Sequence, residues 1–310
     1  MTITAKSVAA AYLAACLAEL DAPKPGNVHR YAAGHRMQLA DFLRSAEASA
    51  NAIAQDGARV GARIRAAVAA TQVAVGANTN LGIVLFCAPL AAAAQAPDRD
   101  LRGALAQVLA GLDTTDAVDA FWAIAAANPG GLGRAALHDV NAPPTTTLRV
   151  AMAEAADRDR IARQYVSGFE DVFGLGLSTL ETARNRYGEP RWATLAVYLE
   201  FLAAFPDTHV ARKFDARTAE TVRAEAVAVR ARFDASANPA AMLDELLAFD
   251  ASLKARDINP GTSADLTVAT LFAESLSQLR LERLSARTSC SPAATMIDLP
   301  ARGKPRELSG

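Results

Sequence analysis

The sequence predicts an all-α protein, a single compact multi-helix domain, and three observations carry that expectation. Half of the 310 residues are hydrophobic (51%) but only 6% are aromatic, because alanine supplies much of the apolar count. Alanine is the strongest helix former and adds little bulk, which favours closely packed helices. Valine, isoleucine and tyrosine nowhere fall into the clean alternation that a half-buried strand requires. Helical spacing of apolar residues dominates instead, between short breaks containing glycine, proline and asparagine.

Val8, Tyr12, Cys16 and Leu20 share one stripe and predict an amphipathic first helix. Residues 8–18 are apolar enough to suggest a signal core, and Leu13-Ala14-Ala15-Cys16 is spaced like a lipoprotein cleavage box. Only Lys6 precedes them, and the stripe favours the helix. Leu39, Phe42, Leu43 and Ala46 outline a second helix, and Val60–Val75 a third. Residues 81–96 carry no formal charge, contain Pro89, and fall short of the ~20 residues of a membrane span, so they predict a buried helix. Residues 101–112 and 116–127 read as a helical pair. From 128 to 147 periodicity disappears, and a loop of that length inside a domain usually serves function. Helical pattern resumes over 148–165 and 169–186. Trp192, Leu195, Leu199 and Leu202 mark a helix ending near Pro206, followed by helices over 216–233, 239–255 and 264–284. One domain is expected over residues 1–285. Beyond it, residues 286–310, with Pro292, Pro300 and Pro305, are expected to be irregular.

A formal net charge of −1 with no basic or acidic block argues against a nucleic-acid surface or a solvating tail. Neither apolar segment is read as a membrane anchor. Cys16, Cys87 and Cys290 are widely spaced and odd in number. They form no disulfide framework or metal cluster and are read as small core residues in a cytoplasmic protein.

Four breaks between helices could carry chemistry, because a rigid scaffold presents polar groups there. In Lys24-Pro25-Gly26-Asn27-Val28-His29-Arg30, followed by Gly34-His35, proline fixes the backbone and glycine permits close approach. Lys24, His29 and Arg30 could meet phosphate, and a connecting turn with solvated charges explains the segment equally well. Gly76-Ala77-Asn78-Thr79-Asn80-Leu81-Gly82 opens the buried helix, where amides attract anions or Asn78, Thr79 or Asn80 simply caps. In Pro206-Asp207-Thr208-His209-Val210-Ala211-Arg212, Asp207 and His209 suit acid/base work, Asp207 could bind a divalent metal, and an aspartate after proline also suits a cap. Asn259-Pro260-Gly261-Thr262-Ser263-Ala264-Asp265 places Thr262 and Asp265 in a capping-box relation at a helix start. Gly130-Gly131-Leu132-Gly133 has part of a phosphate-loop pattern but no preceding strand. Asp157-Arg158-Asp159-Arg160 reads as a solvated helix face, and His138-Asp139 is left open between loop and site.

Together these four segments resemble, in content and order, the triphosphoribosyl-dephospho-CoA synthase family, over roughly residues 7 to 285. The resemblance rests on Lys24-Pro25-Gly26, Gly76 to Thr79, Asp207-Thr208, and Asn259 to Asp265. It implies an all-helical transferase that moves the triphosphoribosyl group of ATP to the ribose hydroxyl of dephospho-CoA and releases adenine, with ATP as substrate and Mg²⁺ expected. Lys24 and Arg30 are then expected to bind phosphates, with Gly26, Asn78, Thr79, Gly261 and Ser263 in the nucleotide site. Asp207 and Asp265 are expected to hold Mg²⁺ or activate the hydroxyl, and His35 and His209 to act as acids. The chain departs from the family at Thr79-Asn80-Leu81-Gly82, where a histidine and a lysine are usual. It also departs at Arg212-Lys213-Phe214 and at His35-Arg36-Met37. KPGNVHRY, GANTNLGIVLFCAPLA and HDVNAPPTTTLR resemble relatives linked to tetrahydromethanopterin-type one-carbon metabolism. A related small-molecule acceptor in cofactor biosynthesis is therefore an alternative, and a non-catalytic nucleotide-binding protein a third. The oligomeric state is left open, a homodimer being one option.

Overall fold

The computed structural model describes residues 3–97, 100–133 and 137–289, with side chains through residue 283. All named elements among these residues are helical, as the alanine-rich periodicity predicts. The hairpin-like contacts His29↔Ala32 and Gly34↔Met37 are isolated bridges in the first break.

The chain begins with α1 (Ala5–Asp21), α2 (Leu39–Ile53) and α3 (Val60–Val75). The expected stripe of α1 is buried at Val8, Tyr12, Cys16 and Leu20. Then comes α4 (Leu81–Gln95), which is buried on nearly every side, as its uncharged sequence requires. It is packed between α3, α5 (Leu101–Ala110) and the long last helix α14 (Gly261–Ser289). Next is α6 (Thr114–Ala127) on α3, then α7 (Leu148–Ala155) on α8 (Arg160–Ser167). A π-helical turn, Asp171–Gly176, leads into α9 (Leu177–Arg186), and α10 (Pro190–Ala204) is a second almost wholly buried helix. The short α11 (Thr208–Lys213) follows, then α12 (Ala216–Ala235), and a 3₁₀ turn, Pro239–Met242, enters α13 (Leu243–Ala255). Cys16 and Cys87 are buried free thiols. Cys290 and the rest of the tail from that residue on lie outside the described residues, while α14 continues through Ser289. No helix among the described residues is long and apolar enough to cross a membrane.

Three expectations need correction. The helix predicted over 148–165 is two helices, because the Asp159 carboxylate accepts from the Ile161 and Ala162 amides (2.9 and 3.1 Å) and starts α8 anew. An aspartate side chain competes in this way with the helical backbone. The charged run 157–160 is therefore a break, with Arg160 forked onto Asp171 (2.6 and 2.8 Å) and Asp159 receiving Arg212. The helix predicted over 169–186 begins with the π turn, entered through left-handed Gly168 and Phe169. Finally, α11 was not foreseen as a helix.

Two buried polar side chains hydrogen-bond backbone carbonyls within the helical packing, one at helix ends and one inside α4. Arg63, 1% exposed, donates to Ile53 O (2.6 Å), Ala58 O (3.0 Å) and Gln95 Oε1 (2.6 Å), closing the C-terminal ends of α2 and α4 together. Pro89 lacks the N–H that would pair with Leu85 O one turn earlier. The buried Tyr165 hydroxyl donates to that carbonyl instead, at 2.6 Å. Tyr165→Phe should lower stability by about 1–2 kcal/mol, because it strands a buried carbonyl. In a Pro89→Ala background, where a backbone N–H is restored, the cost should shrink. Urea unfolding of the four-member cycle checks this.

Candidate functional site

The four breaks meet at one place, and short polar groups hold them there. Asp207, 1% exposed, is the centre of the join. Its Oδ1 accepts from the amides of His209 (2.9 Å) and Val210 (3.2 Å) and so caps α11. Its Oδ2 accepts from the amide and the hydroxyl of Ser263, both at 2.8 Å, at the start of α14. Thr208 and Thr262 hydroxyls meet at 3.1 Å beside it. The first break docks on the fourth through Asn27 Nδ2, which donates to Asn259 Oδ1 (2.8 Å). Gly26, at φ +81°, gives its amide to Asp250 (2.8 Å) and lies where a Cβ would come within 2.8 Å of Pro260. In the second break, Thr79 bonds to Ser45, and Asn80 donates to Ser49 (3.2 Å), which in turn meets Tyr12 (2.9 Å). These pairs place the starts of α4, α11 and α14 around a common space.

That space is a cavity of about 870 Å³, lined by residues of all four breaks and by the loop after α6. Two predicted catalytic residues, Asp265 and His209, line it. The Asp265 carboxylate lies against Gly82 so closely that any side chain there would overlap it, which explains a glycine at the second position of α4. His209 lies in the same way on Gly261. Neither side chain has a hydrogen-bond partner within the described protein. Burial pushes the Asp265 carboxyl well above the usual carboxylate range, reinforced by Glu19, Asp207 and Asp159, with Arg212 opposing. Burial pulls the His209 imidazole below its ordinary value, against the attraction of Asp207 and helped by Arg212, Lys213 and His35. The cavity lining therefore includes a carboxyl that tends to keep its proton and an imidazole that tends to lack one.

The other predicted residues are placed differently. Lys24 is fully buried and directs its ammonium at Glu19, Asn27 Oδ1 (3.0 Å) and Val28 O (2.9 Å), which uses all three donors inside the protein. Arg30 is exposed and paired with Asp21 at 2.5 Å, away from the cavity lining. Asn78 and Thr79 do line the cavity, with Asn78 Oδ1 accepting from the Leu81 amide (3.2 Å). His35, at φ 55°, is locked between Gly26 O (2.8 Å) and Asp257 (3.2 Å), and Asp257 also receives Lys213 (2.8 Å). His29 is buried with Nε2 3.3 Å from Asp250, close enough for an ion pair but not aligned as a hydrogen bond.

The sequence assigns no site role to several lining residues. Glu19 from α1, Arg158 and Asp159 from the break before α8, and Arg212 from α11 all reach the cavity. So does an apolar wall that includes Ile83, Phe121, Ile124, Leu148 and Met152. The acid after Arg158 offered a cap signal, but the alanine-rich pattern on both sides concealed it. Among the described residues no group of three or more His, Cys, Asp or Glu could hold a metal ion. Of the two predicted ligands, Asp207 has both oxygens engaged, and Asp265 has both free of protein donors.

With this geometry in hand, residues 5–283 match the ATP:dephospho-CoA triphosphoribosyl transferase (CitG) family. A crystal structure from Archaeoglobus fulgidus, provisionally described as a triphosphoribosyl-dephospho-CoA synthase, superposes with a TM-score of 0.57 at 24% identity. It covers 75% of this chain and 97% of its own, and at that identity it speaks for the fold. Among curated proteins, none matches the sequence. Neither the one-carbon alternative nor the non-catalytic reading is favoured by these likenesses. The chain belongs to the ATP:dephospho-CoA triphosphoribosyl transferase family and is a synthase-like transferase of that type.

Proposed function

We propose that this protein transfers the triphosphoribosyl group of ATP to a ribose hydroxyl of dephospho-CoA and releases adenine, with His209 and Asp265 handling the protons. The observation that carries the proton roles is the pair itself. Two titratable groups line one cavity, and their surroundings push their pKa values in opposite directions. Such a divergence is the usual means of separating a base from an acid in one site.

In this reading the acceptor hydroxyl forms a bond to the anomeric carbon as the bond from that carbon to adenine breaks. The hydroxyl proton passes to the neutral His209 imidazole, and the Asp265 carboxyl gives its proton to a nitrogen of the departing adenine. The starting protonation states return by exchange with solvent. Asn78, at the start of α4, is suited to orient the nucleotide. Mg²⁺ characteristically relies on substrate phosphates and waters with only one or two carboxylates. It would accordingly arrive with the triphosphate, and Asp265 is the one predicted ligand with open oxygens. Holding the metal and donating a proton exclude each other, and the raised affinity of Asp265 for its proton favours donation. Asp207 acts as a positioning residue that sets His209 and the start of α14.

The purified protein given ATP, Mg²⁺ and dephospho-CoA should release adenine, followed by chromatography, only when dephospho-CoA is present. ATP binding without acceptor-dependent release would reject the activity.

The pH dependence of kcat/KM, which reports the groups of the free enzyme, tests the roles separately. Activity requires His209 unprotonated and Asp265 protonated. The acid limb should therefore fall below the ordinary histidine value and the alkaline limb above the ordinary carboxylate range. His209→Gln should lower kcat about 10²–10⁴-fold and remove the acid limb. Asp265→Asn should have a similar effect on rate and remove the alkaline limb. Limbs that persist in these variants would assign the protons elsewhere.

A further inference from the structure

We infer that the triphosphate of the nucleotide is held by Arg212, clamped between Asp159 and the glycine loop at Gly130-Gly131, with Arg158 as a second cation. The subsite rests on the transferase reading above, and it differs from the Lys24 and Arg30 placement that the first break suggests.

The cavity lining carries the carboxylates Glu19, Asp139, Glu154, Asp159 and Asp265. Among the described residues, Arg158 and Arg212 are its only lysines or arginines. A polyanion entering this space needs fixed cations, and a planar guanidinium fork matches phosphate oxygens better than an ammonium does. Lys24 has no donor left, and Arg30 is not part of the lining.

Arg212 is also built to wait for a ligand. Its Nε donates to Gly130 O (3.1 Å), and its Nη1 donates to Asp159 Oδ2 (3.0 Å). Two of the five N–H donors of a guanidinium are thereby used, and the other three have no acceptor among the described residues. The loop is fixed against the same residue from the other side. Gly131, at φ +73°, lies so close to the Arg212 carbonyl that a Cβ would overlap it. The loop and the carboxylate thus hold the guanidinium in one orientation at the cavity wall, with little ordering left to do on binding. Arg158, bonded to Glu154 O (2.8 Å), reaches the same cavity from the break before α8. Arg212 and Asp265 are near enough to interact electrostatically, which sets a phosphate at Arg212 close to the proposed reacting centre. The glycine loop, whose sequence has part of a phosphate-loop pattern, then serves by orienting an arginine.

Calorimetry with inorganic tripolyphosphate, ATP and adenosine tests this directly. Arg212→Gln should bind tripolyphosphate and ATP about 10- to 100-fold more weakly, a loss typical of one hydrogen-bonded charge. Adenosine affinity should stay unchanged, and Arg30→Gln should bind tripolyphosphate like the wild type. Arg212→Lys, which keeps the charge and loses the fork, should fall between; it decides the matter if Arg212→Gln does not fold. Wild-type tripolyphosphate affinity in the Arg212 variants, or its loss in Arg30→Gln, would overturn the assignment. So would a wild-type protein that ignores tripolyphosphate. If the Arg212 effects hold while no adenine is released, the subsite stands and the transferase reading fails.

Discussion

The site depends on one buried carboxylate. Asp207 receives four hydrogen bonds, two from the first turn of α11 and two from Ser263 at the start of α14. Without it, α11 would have little reason to exist, because a six-residue helix gains almost nothing from its own hydrogen bonds. The cap fixes where α11 begins, which fixes His209. The bonds to Ser263 fix where α14 begins, which fixes Asp265 two residues later. Replacing Asp207 would leave up to three donors without an acceptor, the Val210 amide and the amide and hydroxyl of Ser263, each costing about 1–3 kcal/mol, while the His209 amide keeps Thr262 Oγ1. A residue whose chemistry suggests catalysis thus acts by placing two others.

Close approach is the second constraint, and it accounts for the glycines. Gly82 leaves room for Asp265 at the opening of α4, and Gly261 leaves room for His209. A methyl group at either position would displace a side chain proposed to react and not merely fill space. The consequence is electrostatic as well as steric. Asp265 is pressed into the protein near Glu19 and Asp159, so its charge is disfavoured, while His209 lies near Arg212 and Lys213 and its charge is disfavoured too. Two groups in the cavity lining that favour their neutral forms suit the proposed displacement at an anomeric carbon. One proton must leave the incoming hydroxyl and another must reach the departing base.

Much of the fold was legible in the sequence, and the reasons it was legible also define what was not. Val60–Val75 and the buried helix with Pro89 follow from periodicity and composition alone. The break at 156–159 does not, because alanine-rich helical pattern continues on both sides and only Asp159 interrupts it. The helix α11 is only six residues long, too short for periodicity to reveal, and its cap, Asp207, is held in place by Ser263, 56 residues distant. The four polar breaks were recognised as a set, and Asp265 and His209 were named among them. Their opposite shifts come first from burial, then from Glu19 and Asp159 around Asp265, which only folding brings close, and from Arg212 and Lys213 near His209. Lys24 illustrates the reverse case: a lysine beside a glycine suggests a phosphate site, yet α1 supplies Glu19 to neutralise it within the interior. Arg212 belongs to the third break, but its proposed role depends on the loop after α6 and on Asp159, neither of which is near in sequence.

The most direct test of this account is the protonation state of the pair in the substrate-free enzyme. Carbon-13 NMR of labelled aspartate, with Asp265→Asn used to assign its signal, reads that carboxyl as pH is varied. The account predicts that Asp265 remains protonated well above the range where ordinary aspartates ionise. An Asp265 signal that titrates with the exposed aspartates would contradict it.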